Sequence, residues 1–254
     1  MSLTGKTILI TRPIDQTQGL QQLVQQASGQ AVVFPLLSIR PEEQETIALA
    51  LNDIQNYDKV IFISRNAVNI SMHYLQNTGV QLKNDQCIPI GQATLAALRD
   101  FGYEGLYGES GLASTENILQ QEFFAPEMIS GESVLIIRGS GGRETLKEEL
   151  QARGATVRYA DVYNREKVAY SLQEKQEIIL SEPDVIVLTS NEGIDACYEC
   201  FYDIEPGFIQ SAAIVVLSER NKEHARNLGF KGGIKVAEQT SDQGLLNACI
   251  QLVN

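Results

Sequence analysis

The residues most suited to binding a ligand form the segment R-G-S-G-G-R-E-T-L, residues 138–146. This segment directly follows the apolar run 134–137. A strand, a glycine-rich loop and a helix in this order present unpaired backbone N–H groups and the positive end of a helix dipole to an anion. The common phosphate motifs do not fit, because G-x-G-x-x-G would need glycine at Glu144 and the P-loop would need G-K-[ST]. The segment therefore predicts an anion site, and it does not support a nucleotide site.

Six segments that follow predicted strands share this polar character, and four of them carry arginine. In a doubly wound sheet, ligands bind outside the carboxyl ends of the strands, so the six segments favour one shared site for a polyanion. The alternative to ligand binding, for any single segment, is that its Ser, Thr or Asn only caps a helix. For each arginine, the alternative is a solvated position on the surface. The candidate ligands are Thr11, Arg12, Ser64, Asn66, Gly91, Gln92, Ala93, Thr94, Arg138, Gly139, Ser140, Gly141, Arg143, Ser190, Asn191, Ser218, Arg220 and Asn221, with Arg65 and Arg165 as further candidates.

Composition excludes several classes of protein. A net charge of −12 argues against a nucleic-acid partner, so an anionic ligand must be bound by local arginines and backbone amides. No apolar run approaches the roughly 18 residues of a membrane span, and no secretory signal is visible, so a soluble cytoplasmic protein without a membrane partner is expected.

Metal and redox chemistry have little support in the sequence. With only His73 and His224, no metal-ligand spacing appears, and acid–base chemistry would fall on carboxylates or tyrosines. Cys197 and Cys200 form a C-x-x-C without a second pair; we interpret them as small apolar groups on one helix face, with a redox or zinc role as the alternative.

Short β-branched runs alternate with segments of helical period along the whole chain. This alternation predicts an α/β fold with parallel sheets covered on both sides. The predicted strands are residues 7–11, 31–34, 59–63, 87–90, 134–137, 156–159, 185–189, 213–217 and 234–236, with a weak tenth near 105–107.

The chain also repeats itself at an offset of about 126 residues. The segment 58–68 lies over 184–194, which places Asp58 over Asp184 and Ser64 over Ser190, and Arg12 lies over Arg138. The repeat predicts two copies of a five-strand βα unit. It leaves the domain boundaries open: they fall either between the copies, near 126–132, or at two extended segments, 34–43 and 158–166, so that the middle forms one domain and both ends form the other.

Several motifs together resemble the uroporphyrinogen-III synthase family. They are I-L-I-T-R-P, F-P-L-L, V-I-F-I-S-R-N-A-V, I-G-Q-A-T, V-L-T-S-N-E-G and L-S-E-R, and above all R-G-S-G-G-R-E followed about twenty residues later by V-Y-N-R. The resemblance covers essentially the entire chain in order.

That resemblance implies two doubly wound, flavodoxin-like α/β domains joined by a two-stranded connector, with the active site in the interdomain cleft. It favours residues 1–36 plus 166–254 as one domain, 42–160 as the other, and 35–41 and 159–168 as the connecting strands. Members of the family convert the linear tetrapyrrole hydroxymethylbilane to uroporphyrinogen III, inverting the last pyrrole ring and losing water, without a cofactor or metal. A monomer is also implied.

The resemblance further implies that a tyrosine, here Tyr163, donates a proton to the leaving hydroxyl. A phenol stays protonated at neutral pH and can donate a hydrogen bond; packing in the connector is the alternative for Tyr163. Asn221 stands where family members often have threonine, so a backbone contact is expected there. The rival functions are a two-domain protein that closes on a polyanion without chemistry, and a flavodoxin-like or nucleotide-dependent enzyme.

Overall fold

The computed structural model describes residues 2–106, 118–141 and 144–253. It divides into two compact units, of which unit 1 comprises Met1–Ser38 and Glu166–Asn254 and unit 2 comprises Ile39–Arg165. Within the described residues no helix is both long enough and apolar enough to cross a bilayer.

The described residues contain ten strands and eleven α-helices. The strands are β1 (Thr7–Ile10), β2 (Gln30–Val33), β3 (Leu37–Pro41), β4 (Lys59–Phe62), β5 (Cys87–Pro89), β6 (Ser133–Gly139), β7 (Thr156–Lys167), β8 (Val185–Val187), β9 (Ile214–Val216) and β10 (Ile234–Val236). The helices are α1 (Gln18–Gln26), α2 (Gln44–Ala50), α3 (Arg65–Thr78), α4 (Gln92–Asp100), α5 (Pro126–Ile129), α6 (Thr145–Ala152), α7 (Leu172–Leu180), α8 (Asn191–Phe201), α9 (Pro206–Ser211), α10 (Glu219–Leu228) and α11 (Asp242–Val253).

Each unit is built on a five-stranded sheet. The strand order is β10-β9-β8-β1-β2 in unit 1 and β3-β7-β6-β4-β5 in unit 2. The pairings β1–β2, β1–β8, β8–β9 and β9–β10 are parallel, as are β4–β5, β4–β6 and β6–β7. The predicted α/β fold with parallel sheets is therefore confirmed.

The two units exchange halves of the internal repeat. In the repeat, β1 corresponds to β6 and β4 corresponds to β8, yet β1 pairs with β8 and β4 pairs with β6. Each sheet therefore pairs a strand from the first half of one copy with a strand from the second half of the other copy. The central strand pairs of the two sheets are equivalent in the repeat. The chain passes between the units within β3 and β7.

Apolar side chains cover both faces of each sheet. Along β1, Leu9 belongs to one buried cluster of unit 1, while Ile8 and Ile10 belong to a second cluster on the other face. In unit 2, the neighbouring residues Ile136 and Ile137 likewise belong to two different clusters on opposite faces of the sheet. Burial on both faces explains why these strands read as continuous apolar runs rather than as an alternating pattern.

Strand ends differ from the predicted ones. β1, β4, β8 and β9 stop one or two residues early, whereas β6 extends to Gly139 and β7 continues to Lys167. Arg138 and Gly139, predicted as loop residues, therefore lie within a strand, because β7 still pairs with β6 there. Of the weak tenth strand, Gly105 and Leu106 are not in a strand and residue 107 lies outside the described residues, although Leu106 N donates to Cys87 O (2.7 Å).

Candidate functional site

In unit 1 the polar segments meet at the carboxyl edge of the sheet, where β1 lies beside β8. The chain continues from β1 to one side of the sheet and from β8 to the other, which is the topological switch point where doubly wound sheets bind ligands. Thr11 follows β1, and its buried hydroxyl donates to the carbonyl of Val187 at 2.6 Å. This bond joins the carboxyl ends of the two central strands.

Two serines cap the helices that begin at this edge. Ser190 Oγ accepts from Gly193 N (3.0 Å) at the start of α8, and Ser218 Oγ accepts from Asn221 N (3.2 Å) at the start of α10. Asn221 is buried; its Oδ1 accepts from Ser218 Oγ (2.8 Å), and its Nδ2 donates to Asn191 Oδ1 (2.6 Å). Three predicted site residues, Asn191, Ser218 and Asn221, thus form one network, and the side-chain amide of Asn221 connects two helix N-termini.

The two predicted arginines of unit 1 have different surroundings. Arg12 forms an ion pair with Asp242 at the start of α11, with 2.5 Å between Nη1 and Oδ1. Its Nε is buried without a hydrogen-bond partner among the described residues. Arg220 is exposed in the first turn of α10. Asp242 was not singled out from the sequence, because 230 residues separate it from Arg12.

Unit 2 repeats this arrangement where β4 lies beside β6. Ser64 follows β4 and caps α3 by accepting from Ala67 N at 3.1 Å. Arg65 is exposed and Asn66 is buried, both in the first turn of the helix. The N-terminus of α3 therefore opens at the carboxyl edge of this sheet, as α8 does in unit 1.

A β-bulge places Tyr163 on the same side of the sheet as α3. Arg138 pairs with Asp161 but Gly139 pairs with Tyr163, so Val162 is an extra residue in β7. Val162 and Tyr163 consequently both join the core cluster that α3 covers, which strict alternation would forbid. A Cβ on Gly139 would lie 2.4 Å from Cε2 of the tyrosine, so only glycine leaves room for this ring.

The hydroxyl of Tyr163 lies near two predicted site residues. It is 3.1 Å from Ser64 Oγ, with either atom as donor, and 3.5 Å from Nη1 of Arg165. The side chain as a whole is only 2% exposed. The structure thus combines packing of the ring with a polar contact at the hydroxyl.

The segment after β5 forms the start of α4. Gly91 has φ +85°, a conformation that favours glycine, and its carbonyl accepts from Thr94 N at 3.1 Å. Gln92 and Ala93 are exposed, and Thr94 is buried.

Arg138 is bound inside unit 2. Its Nε donates to Asp161 (2.9 Å), its Nη1 donates to Glu144 (3.1 Å), and its guanidinium lies 3.4 Å from the ring centre of Tyr159. Burial alone would lower the pKa of Arg138, but the hydrogen bond and charge of Asp161 and the hydrogen bond to Glu144 outweigh burial and raise it. Its charge is therefore already compensated within the unit.

The rest of the R-G-S-G-G-R segment follows β6. Ser140 N donates to Tyr163 O (2.8 Å), and Ser140 Oγ donates to Glu42 (3.2 Å). Gly141 has φ +75°. Arg143 lies outside the described residues. The sequence did not single out Glu42, Asp161 or Glu144, and the only local signal for them was an acidic residue next to a polar segment.

The cysteines belong to the packed interior. Cys197 and Cys200 are buried on α8 within the core of unit 1, and burial raises the pKa of both thiols. A raised pKa keeps the thiols protonated, which disfavours metal binding and thiol exchange. Among the described residues there is no group of three or more His, Cys, Asp or Glu side chains that could bind a metal ion.

Fold and site define a class of protein: two doubly wound units, each with at least one serine-capped helix N-terminus at its carboxyl edge, and a tyrosine hydroxyl at the edge of unit 2. A family model described as "Uroporphyrinogen-III synthase HemD" matches residues 18–247. The uroporphyrinogen-III synthase of Escherichia coli (strain K12) is 28% identical over 248 residues, 95% of this chain and 99% of that one. That of Salmonella typhimurium is 30% identical over 251 residues, again 95% and 99%.

Solved structures agree on the fold. A mutant uroporphyrinogen III synthase from the extremely thermophilic bacterium Thermus thermophilus matches with a TM-score of 0.65, 11% identity and 98% coverage of both chains. Uroporphyrinogen-III synthetase from Helicobacter pylori matches with a TM-score of 0.61 and 15% identity, over 97% of this chain and 99% of that one. The protein belongs to the uroporphyrinogen-III synthase family, as the motifs predicted.

Proposed function

We propose that this protein converts hydroxymethylbilane to uroporphyrinogen III, closing the ring with loss of water and inversion of the last pyrrole. The observation that carries the proposal is the equivalence of the two carboxyl edges. Serine-capped helix N-termini lie at the switch point of each unit, α3 in unit 2 and α8 and α10 in unit 1, so each unit can bind carboxylate arms of a substrate with eight carboxylates although the net charge of the protein is −12.

Backbone N–H groups in the first turns of α3, α8 and α10 bind acetate and propionate arms in this proposal. Arg65 and Arg220, exposed in two of these turns, add positive charge. Arg12 remains a proposed ligand through the guanidinium N–H groups that its ion pair with Asp242 does not use. Arg143 remains a proposed ligand of the same kind. For Arg138, the two internal carboxylates support an organising role within unit 2 rather than a direct contact with substrate.

Geometry is the main requirement of this reaction. The hydroxyl of the bilane leaves readily and the chain closes unaided to the type I isomer, so the enzyme must bend the substrate until the substituted carbon of the last ring attacks first. Attack there gives a spiro intermediate on the way to type III. Contacts to many arms select this conformation and reduce the entropic part of the barrier.

Tyr163 donates the proton that the departing hydroxyl needs to leave as water. Its hydroxyl lies 3.1 Å from Ser64 Oγ, at the first turn of α3, where the proposal places carboxylates of the substrate. The helix dipole at this turn favours the negative arms, and the phenol supplies a neutral donor beside them. No cofactor or metal enters this proposal.

The test is to supply freshly made hydroxymethylbilane to the protein and to resolve the uroporphyrinogen isomers formed. Type III product, formed faster than spontaneous closure, is expected. Type I alone, at the rate of a protein-free control, would contradict the proposal and favour a protein that binds a polyanion without chemistry. A scan for flavin absorbance on the purified protein tests the nucleotide-dependent alternative.

The proposal also includes a monomer that acts in the cytoplasm, without nucleic-acid or membrane partners. The negative net charge supports the absence of a nucleic-acid partner. Light scattering over a concentration series tests the monomer, and a mass that rises with concentration would contradict it.

A further inference from the structure

Glu42 connects three parts of unit 2 at the carboxyl edge of its sheet. It directly follows β3, and its N–H donates to the carbonyl of Val162 at 3.0 Å. Its Oε1 accepts from Ser140 Oγ (3.2 Å) and from Asn164 Nδ2 (2.5 Å). We call Glu42, Ser140 and Asn164 the Glu42 bridge.

The bridge surrounds the bulged stretch that carries Tyr163. Val162 O accepts from Glu42 N, Tyr163 O accepts from Ser140 N, and the side chain of Asn164 donates to Glu42. A bulge interrupts the regular ladder, so these bonds replace the pairing that would otherwise fix the strand. The direction of the tyrosine and the position of Ser140 therefore depend on the same carboxylate.

The charge of Glu42 is unfavourable for binding a polyanion at this edge. A carboxylate close to bound carboxylates raises the energy of the complex by Coulomb repulsion. What its side chain contributes is an acceptor oxygen that two donors share. An uncharged acceptor of the same shape would keep this geometry and remove the repulsion.

We infer that Glu42 is a positioning residue that determines which isomer the enzyme forms, because its carboxylate aligns Ser140 with Tyr163. The inference rests on the proposed function. It predicts that the acceptor, and not the charge, supports formation of type III, and that the charge weakens substrate binding.

The experiment compares Glu42→Ala, Glu42→Gln and the control Glu43→Ala in the full-length protein, with hydroxymethylbilane as substrate and both isomers quantified. Glu43 is the adjacent exposed glutamate, and its side chain makes no capping bond to α2. Glu42→Ala should lower kcat for type III by roughly ten- to a hundredfold and raise the share of type I, since small displacements at a reacting centre cost this much. Glu42→Gln should keep the isomer ratio and lower KM, and Glu43→Ala should keep the isomer ratio and kcat.

These variants decide whether the inference about Glu42 holds. Type III formed by Glu42→Ala with wild-type kcat and isomer ratio overturns the inference, as does a Glu42→Gln variant that is as impaired as Glu42→Ala. If Glu42→Ala does not fold, Ser140→Ala and Asn164→Ala each remove one arm of the bridge; a raised type I share supports the inference, and an unchanged share in both overturns it. If the wild-type protein yields only type I at the spontaneous rate, that result contradicts the proposed function itself.

Discussion

The carboxyl edges of the two sheets share one scaffold and differ in what is added to it. Ser64 and Ser190 occupy equivalent repeat positions, have nearly the same backbone angles (φ −159° and −150°) and accept from the third helical N–H at 3.1 and 3.0 Å. In unit 1, Ser190 lies beside the Asn221 network. In unit 2, Ser64 contacts the hydroxyl of Tyr163.

Two local features account for the difference. β7 carries a bulge at Val162 that turns Tyr163 toward α3, and Gly139 leaves room for the ring. The repeat places Pro13 of unit 1 at the position of Gly139 in unit 2. The duplicated fold thus supplies two edges that we propose bind anions, whereas the proposed proton donor belongs to unit 2 alone.

Removing the phenol hydroxyl should have the largest effect. Tyr163→Phe keeps the buried ring and removes the only proposed donor, so kcat for type III should fall by about a hundredfold or more. Product binding should be retained, because the carboxylate contacts remain. Isomer-resolved turnover and titration with uroporphyrinogen III check both parts, and near-normal turnover would leave the tyrosine a packing role only.

A methyl group at Gly139 should displace the ring instead of removing its hydroxyl. Gly139→Ala places Cβ 2.4 Å from the tyrosine ring, so turnover should fall by roughly a hundredfold. The free energy of unfolding should fall by about 1–3 kcal/mol. Gly193→Ala in unit 1, whose nearest neighbour is Ser190 Oγ at 3.3 Å, is the control for adding a methyl at an edge, and equal losses from both variants would speak against a special role for the tyrosine.

Replacing the two capping serines should distinguish an effect on stability from an effect on catalysis. Ser64→Ala and Ser190→Ala each remove one cap, and each should lower the free energy of unfolding by about 1 kcal/mol. Of the two variants, only Ser64→Ala should also lower kcat, by several-fold, because Ser64 contacts the tyrosine hydroxyl and Ser190 lies in the other unit. Ser190→Ala should act on KM. Thermal unfolding and steady-state kinetics test the split, which a kcat loss of equal size in both variants would refute.

The smallest effect is expected at the opposite edges of the sheets. Asp184 and its repeat equivalent Asp58 accept from the first N–H of the neighbouring strands, Thr7 and Ser133, both at 2.8 Å. Burial would raise the pKa of Asp184, but Lys6 and the Thr7 N–H outweigh burial and lower it. The hydrogen bonds from Ser133 lower the pKa of Asp58.

A lowered pKa in the folded state means stability that is present above the unfolded pKa, about pH 4, and is lost as the pH falls through the folded value. Asp184→Asn should therefore cost about 1–2 kcal/mol at pH 7 and reduce the pH dependence of unfolding below about pH 5. The exposed Asp58 should contribute less. Urea unfolding at several pH values measures both, and an unchanged pH dependence in Asp184→Asn would contradict the assignment.

Much of the fold could be predicted from the sequence, because buried parallel strands leave continuous apolar runs and capping serines follow them directly. Ser64, Ser190 and Ser218 were found from this local order, and all three cap helices. The partners of the predicted arginines were not found. Asp161 faces Arg138 only because of the register between β6 and β7, and Asp242 reaches Arg12 across 230 residues.

The bulge at Val162 was equally invisible to sequence patterns. In T-V-R-Y-A-D-V-Y-N-R-E the alternation simply continues, and the extra residue appears only when β7 is paired with β6. The sequence could therefore name Tyr163, Gly139 and Ser64 as separate candidates, but it could not show that they are neighbours. It also missed Glu42, whose contacts combine three separate segments.

The most direct test of unit 2 as the catalytic edge is a double-mutant cycle on kcat for type III formation. Ser64→Ala and Ser190→Ala are each measured in the wild type and in Tyr163→Phe. Ser64→Ala should lower kcat in the wild type but not in Tyr163→Phe, while the effect of Ser190→Ala on KM should be the same in both backgrounds. A Ser64→Ala effect on kcat of equal size in both backgrounds would contradict this prediction.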